Sequence, residues 1–238
     1  MIGTIINVIA IILGSAMGII FGSRLSENLK KSVVAGMGLF TTAVGIQMFL
    51  KTENSLVVLG ALIFGAILGE WMKIEDALQK LGVILEKRLS GDSNGSSSIF
   101  VRGFLTASVL YCTGPMAVLG AISDGLKGDY LTLSIKSVLD GFISIAFAST
   151  LGIGVAFSAI PVFIYQGTIS LLAAQLNSVI NASMMNEMTA TGGVLLMGIG
   201  ISNILEIKKI RVGNFLPALL IAPVIVYVLD IIMKMTGK

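Results

Sequence analysis

The sequence contains no histidine and one cysteine, and charged residues fill only 12% of its 238 positions. The missing histidine removes the commonest metal ligand and the one side chain that ordinarily titrates near neutral pH. The single Cys112 excludes an internal disulfide framework and any site built from several thiolates. Proline is scarce as well, with four in all: Pro115, Pro217 and Pro223 predict bends or breaks within spans, and Pro161 opens a span where its missing donor costs least. A soluble domain carries about 25% charged residues, and half that share leaves too little polar surface to face water on every side. Nucleic-acid binding is not expected, because lysines and arginines flanking membrane spans account for the net charge of +3.

What the chain does have is apolar sequence, 55% hydrophobic residues arranged in long runs. Crossing the ~30 Å hydrocarbon core takes about 20 helical residues. About eight such stretches are present: 2–22, 32–50, 55–72, 99–123, 131–158, 161–180, 190–207 and 215–233. They predict an all-α integral membrane protein, one polytopic domain over 1–238. Residues 181–189, with Glu187, read as a polar connection. From 74 to 89 the pattern changes: Ile74, Ala77, Leu78, Leu81, Ile84, Leu85 and Leu89 share one face opposite charged residues. That predicts an amphipathic helix on the membrane surface, and Gly91 to Ser98 a flexible linker after it. Gly14, Gly18 and Gly22, and again Ala61, Gly65 and Gly69, recur every four residues and let another backbone approach closely.

Lysine and arginine collect after span one (Arg24, Lys30, Lys31), span three (Lys73, Lys80, Lys87, Arg88) and span seven (Lys208, Lys209, Arg211). These connections are predicted to be cytoplasmic, with both termini outside. An internal similarity sets Gly38-Leu-Phe-Thr-Thr-Ala-Val-Gly-Ile46 on Gly193-Val-Leu-Leu-Met-Gly-Ile-Gly-Ile201, and Leu59-Gly-Ala-Leu62 on Leu216-Pro-Ala-Leu219. Spans one to three (1–72) then pair with spans six to eight (159–238), and partners five spans apart run in opposite directions. Spans four and five (99–158) form a central pair, with Ser108-Val-Leu110 matching Ser137-Val-Leu139. Inverted repeats around a broken pair are the mark of secondary transporters.

Polar residues inside the spans are few. Asp140 lies about 13 Å into span five at 1.5 Å per residue, a depth where an ionised carboxylate costs several kcal/mol. Lys136, one turn earlier, is placed to pair with it. In span four, Gly114-Pro115 breaks the helix and frees carbonyls near Tyr111, which makes 106–116 a cavity wall. The site expected from sequence is Asp140, Lys136, Thr113, Gly114, Pro115, Thr106, Ser108 and Asn203, holding a small solute or a cation. Gln47 and Ser202 are further polar groups for such a cavity. Two structural alternatives stay open: a fixed Lys136–Asp140 pair, and hydroxyls that serve only to join helices. Asp124 and Asp129 read as caps of an exterior turn, and Glu70 as an interfacial group.

The segments Gly3-Thr-Ile-Ile-Asn-Val-Ile-Ala-Ile-Ile-Leu-Gly14, Leu110-Tyr-Cys-Thr-Gly-Pro-Met-Ala-Val-Leu-Gly-Ala-Ile-Ser-Asp-Gly125 and Lys136-Ser-Val-Leu-Asp-Gly141 carry a family likeness. Over nearly its whole length the chain resembles the YqgA/YdfK-like family of uncharacterised multipass prokaryotic membrane proteins. That resemblance implies the membrane class and no substrate. Gly193 to Ile201, with Ser137-Val-Leu-Asp140, is similar to segments of small cation and amino-acid exporters of the lysine-exporter type, which implies a membrane-embedded aspartate. A secondary transporter or exporter of the cytoplasmic membrane is therefore expected, in contact with the bilayer and an unidentified small solute or ion. A homo-oligomer stays open, and a non-transporting scaffold or regulator is the alternative. No enzyme, cofactor or metal site is expected, since acid–base work has no histidine and no span holds two carboxylates.

Overall fold

A computed structural model describes residues 1–22, 24, 26–80, 84, 97–112, 114–205, 207–208 and 210–236. The elements are α1 (Ile2–Gly22), α2 (Glu27–Phe49) and α3 (Ser55–Trp71), then α4 (Ile74–Lys80). After them come α5 (Ser97–Cys112), α6 (Pro115–Lys127), α7 (Leu131–Leu151), α8 (Gly154–Phe157) and α9 (Ala159–Leu171). The chain closes with α10 (Ala173–Val179), α11 (Ala182–Ile199), a π turn (Gly200–Ile204), a 3-10 turn (Val212–Phe215) and α12 (Ala218–Thr236). There is no strand among the described residues.

Side-chain placement is that of a protein dissolved in lipid. Leu13, Phe64, Phe142, Ile164 and Leu220 are each at least 60% exposed, whereas Thr4, Asn7, Gln166 and Glu187 are buried. Polar groups turn inward because hydrocarbon offers them no partner. Among the described residues, five stretches are long and apolar enough to cross a membrane alone: Ile2–Gly22, Lys31–Phe49, Leu131–Leu151, Gly154–Leu171 and Val212–Met235. Two more qualify if α3 with α4, bent by 55°, and α5 with α6, bent by 61°, each count as one span.

The stretch expected as a seventh span differs from its sequence reading. Its helix begins at Ala182, inside what read as a polar connection, and gives way to the π turn at Gly200. The reason is shielding. Of the 18 residues of α11, 12 are buried, so protein surrounds it and its composition need not suit lipid. Span five is also shorter than expected. It stops at Leu151, because Gly152 takes a left-handed φ of +71° that ends α7, and the next apolar run already starts at Gly154.

Glycines set how closely the helices pack. A Cβ on Gly14, Gly18 or Gly22 would fall 2.3 Å from the carbonyl oxygens of Gly141, Ile145 and Ser149 respectively, so α1 and α7 run parallel in backbone contact. Between α2 and α11 the order reverses. A Cβ on Gly45 would meet the Gly193 oxygen at 2.6 Å, one on Gly193 the Gly45 oxygen at 2.5 Å, and one on Gly200 the Gly38 oxygen at 3.0 Å. The alignment that sets Gly38 on Gly193 sets Gly45 on Gly200. Exchanging the two helices therefore turns the contact of Gly38 with Gly200 into that of Gly193 with Gly45. The same exchange works between α3 and α12. Gly65 meets Ala218 while Ala61 and Ala222 share its cluster, and Gly69 meets Asn214 while Val57 clusters with Val226.

Candidate functional site

The polar centre of the bundle is built from four helices. On α7, Lys136 and Asp140 are one turn apart, 7% and 5% exposed, and their side chains are ion-paired. From α1, the Asn7 amide donates to Asp140 Oδ2 at 3.0 Å and reaches Gln166 Oε1 of α9 at 3.4 Å. From α5, the Tyr111 ring lies 5.6 Å beneath the Lys136 ammonium, and its hydroxyl is 2.7 Å from Ser144 Oγ, a further turn along α7. Tyr111, Asn7, Gln166 and Ser144 are all fully buried. Two opposite charges in such surroundings hold because each neutralises the other, with Asn7 adding a hydrogen bond to the carboxylate and the Tyr111 ring facing the ammonium.

The break in span four sits at this pair. Helix α5 ends at Cys112, and α6 begins at Pro115 after Gly114, whose φ of +149° is open to glycine. A Cβ at Gly114 would find nothing within 4 Å. Pro115 has no N–H to give the Tyr111 carbonyl four residues back, so the helix cannot run on unbroken through Gly114. Tyr111 belongs to that last turn, so the end of the broken helix is in direct contact with Lys136.

Of the residues singled out in the sequence, Asp140 and Lys136 are brought together, with Gly114 and Pro115 forming the break beside them. Thr106 Oγ1 and Ser108 Oγ are buried on α5 and, among the described residues, have no hydrogen-bond partner. Thr113 and the Asn203 side chain lie outside the described residues; the turn that holds Asn203 has Gly200 against Gly38 and Thr42 of α2. Gln47 is exposed. Ser202 instead holds the chain at Ile210, donating to its carbonyl at 3.2 Å and accepting from its N–H at 2.8 Å.

The sequence reading missed Asn7 and Gln166, lone amides in otherwise apolar runs. It also misjudged two acids. Asp124 is 3% exposed within α6, where it accepts from the Gly3 N–H at 3.0 Å and faces the Met1 ammonium at 3.1 Å, so it ties α1 to α6. Glu187 accepts from Thr52 Oγ1 and the Glu53 N–H, both at 2.7 Å, and from the Asn54 N–H at 2.9 Å. It thereby secures the turn that opens α3. Asp129 caps as expected, accepting from the Leu131 N–H at 3.1 Å. Glu70 is tied by Arg211 at 3.0 Å and by Asn214. The letters Gly-x-Ser-x-Gly occur once, at Gly91 to Gly95, outside the described residues, and without a histidine such a serine has no imidazole base.

Apolar faces outside, a buried ion pair inside and a helix broken against it define a multi-pass α-helical membrane protein. The family model described as "Protein of unknown function (DUF554)" matches residues 2–227, and the chain belongs to that family. It is 35% identical over 233 residues to the uncharacterized membrane protein YdfK of Bacillus subtilis (strain 168), covering 96% of this chain and 97% of the relative. It is 34% identical over 223 residues to the uncharacterized protein YqgA of Escherichia coli (strain K12), covering 93% and 94%. No solved structure matches. The family resemblance read from the sequence thus holds, whereas the likeness to lysine exporters gains no support from these relatives.

Proposed function

We propose that the chain is a secondary transporter of the cytoplasmic membrane that carries a small solute or cation past Asp140. The observation behind this reading is the contact between the buried Lys136–Asp140 pair and the end of the broken helix α5. An ion pair in a dry interior adds little net stability, so a scaffold would gain nothing by keeping it. A carrier needs a charge that can be exposed to either side and then neutralised. The reciprocal packing of α2 on α11 and of α3 on α12 supports a second element of the reading, an inverted repeat whose two copies rock about the centre. On this reading the chain crosses eight times, with α11 as a span shielded by protein. The basic connections face the cytoplasm and both termini face outward.

Cys112 is the single thiol and follows Tyr111 in α5, so the native chain carries its own reporter. In sealed vesicles of either orientation, a membrane-impermeant thiol reagent should reach Cys112 from both faces, at rates that shift in opposite directions when a transported solute is added. Reaction from one face only, whatever solute is supplied, would argue against alternating access.

A further inference from the structure

The orientation of two buried amides points to the kind of solute. A carboxylate can only accept, so Asp140 Oδ2 fixes Asn7 with its NH2 group toward the acid. The same NH2 group then meets Gln166, which must turn its oxygen toward it. What remains is a bare acceptor, Asn7 Oδ1, and a bare donor, Gln166 Nε2. Both are buried, and neither has a hydrogen-bond partner among the described residues. Each such atom carries the full desolvation cost of an unmade bond. A donor and an acceptor therefore stand unfilled beside an ion pair that contributes one positive and one negative group.

Charge balance selects among solutes. Separating Lys136 from Asp140 leaves two opposite charges in a site whose other groups are neutral. An alkali cation on Asp140 would strand the ammonium, and a lone anion on Lys136 would strand the carboxylate. Both are costly away from water. A molecule that carries an ammonium and a carboxylate replaces each partner of the pair and imports no net charge. Its ammonium suits Asp140 and Asn7 Oδ1, and its carboxylate suits Lys136 and Gln166 Nε2.

We propose that the solute is a small zwitterion of the amino-acid type, bound by opening the Lys136–Asp140 pair and completed by Asn7 and Gln166. This inference rests on the transporter reading above.

The test uses the full-length protein in detergent, followed by thermal unfolding with each of the standard amino acids added singly. Ethylamine, propionate, sodium chloride and potassium chloride serve as the half-molecule and salt controls. At least one amino acid should stabilise the protein, with none of the four controls reproducing the shift. Gln166→Leu, which deletes the bare donor at similar volume together with the acceptor of the Asn7 amide, should weaken that binding at least tenfold in a protein that still unfolds cooperatively. Asp140→Asn should abolish it. Stabilisation by ethylamine or an alkali salt alone would make the solute a cation, and stabilisation by propionate alone an anion; either overturns the proposal. If no amino acid binds and proteoliposomes still pass ions in an Asp140-dependent manner, the zwitterion class is wrong and the transporter reading stands. If nothing binds and nothing is transported, both fail.

Discussion

Removing either member of the Lys136–Asp140 pair strands the other inside the bundle, 7% and 5% exposed. Lys136→Met and Asp140→Asn should therefore each cost about 3–5 kcal/mol, the usual loss when one partner of a buried ion pair is removed. The double variant leaves no charge behind and should lose under about 2 kcal/mol. The two single losses are thus expected to be far from additive, because the two residues act as one unit. Dodecyl sulfate unfolding titrations measure all four proteins. Two single variants as stable as the parent, or losses that simply add in the double variant, would mean that water reaches the pair and that the buried site has been misread.

Three other perturbations follow from particular contacts. Gly45→Val and Gly193→Val each drive a branched side chain into the partner's carbonyl, so each should cost about 1–3 kcal/mol by the same assay; a large loss for one and none for the other would undo the reciprocal crossing. Glu187→Ala leaves Thr52 Oγ1 and two N–H groups without an acceptor and should cost about 3 kcal/mol. Glu187→Gln should recover more than half of that, since one amide oxygen can still take both N–H bonds, and equal losses would show that the charge itself is what matters. In a Cys112→Ala background, a cysteine introduced between 90 and 98 should react with impermeant reagents only from the cytoplasmic side, and labelling of intact cells would reverse the assigned orientation.

The central break and the ion pair were legible because each has a local signature. Proline after glycine interrupts a helix wherever it falls, and lysine four residues before aspartate on one helix has a single nearby partner. The close contact of α1 with α7 was half legible: glycines at Gly14, Gly18 and Gly22 announce a backbone contact but do not name the partner. Asn7 and Gln166 escaped notice because their meaning depends on three helices far apart in sequence, although a lone amide in an apolar run is itself a signal. Glu187 was misplaced for a different reason. Hydropathy measures fitness for lipid, and α11 is wrapped by protein, so its polar residues resembled a loop. Gln47 was credited with an inward position that helical phase alone does not determine.

The central claim is that this protein moves solute through a site governed by Asp140. The measurement that tests it most directly is uptake of radiolabelled solute into proteoliposomes holding the purified chain, with each amino acid, alkali cation and small carboxylate supplied in turn. The account predicts uptake of at least one solute with the parent protein and none with Asp140→Asn under conditions where that variant is folded. No uptake of any solute by the folded parent protein, or unchanged uptake by the folded variant, would contradict it.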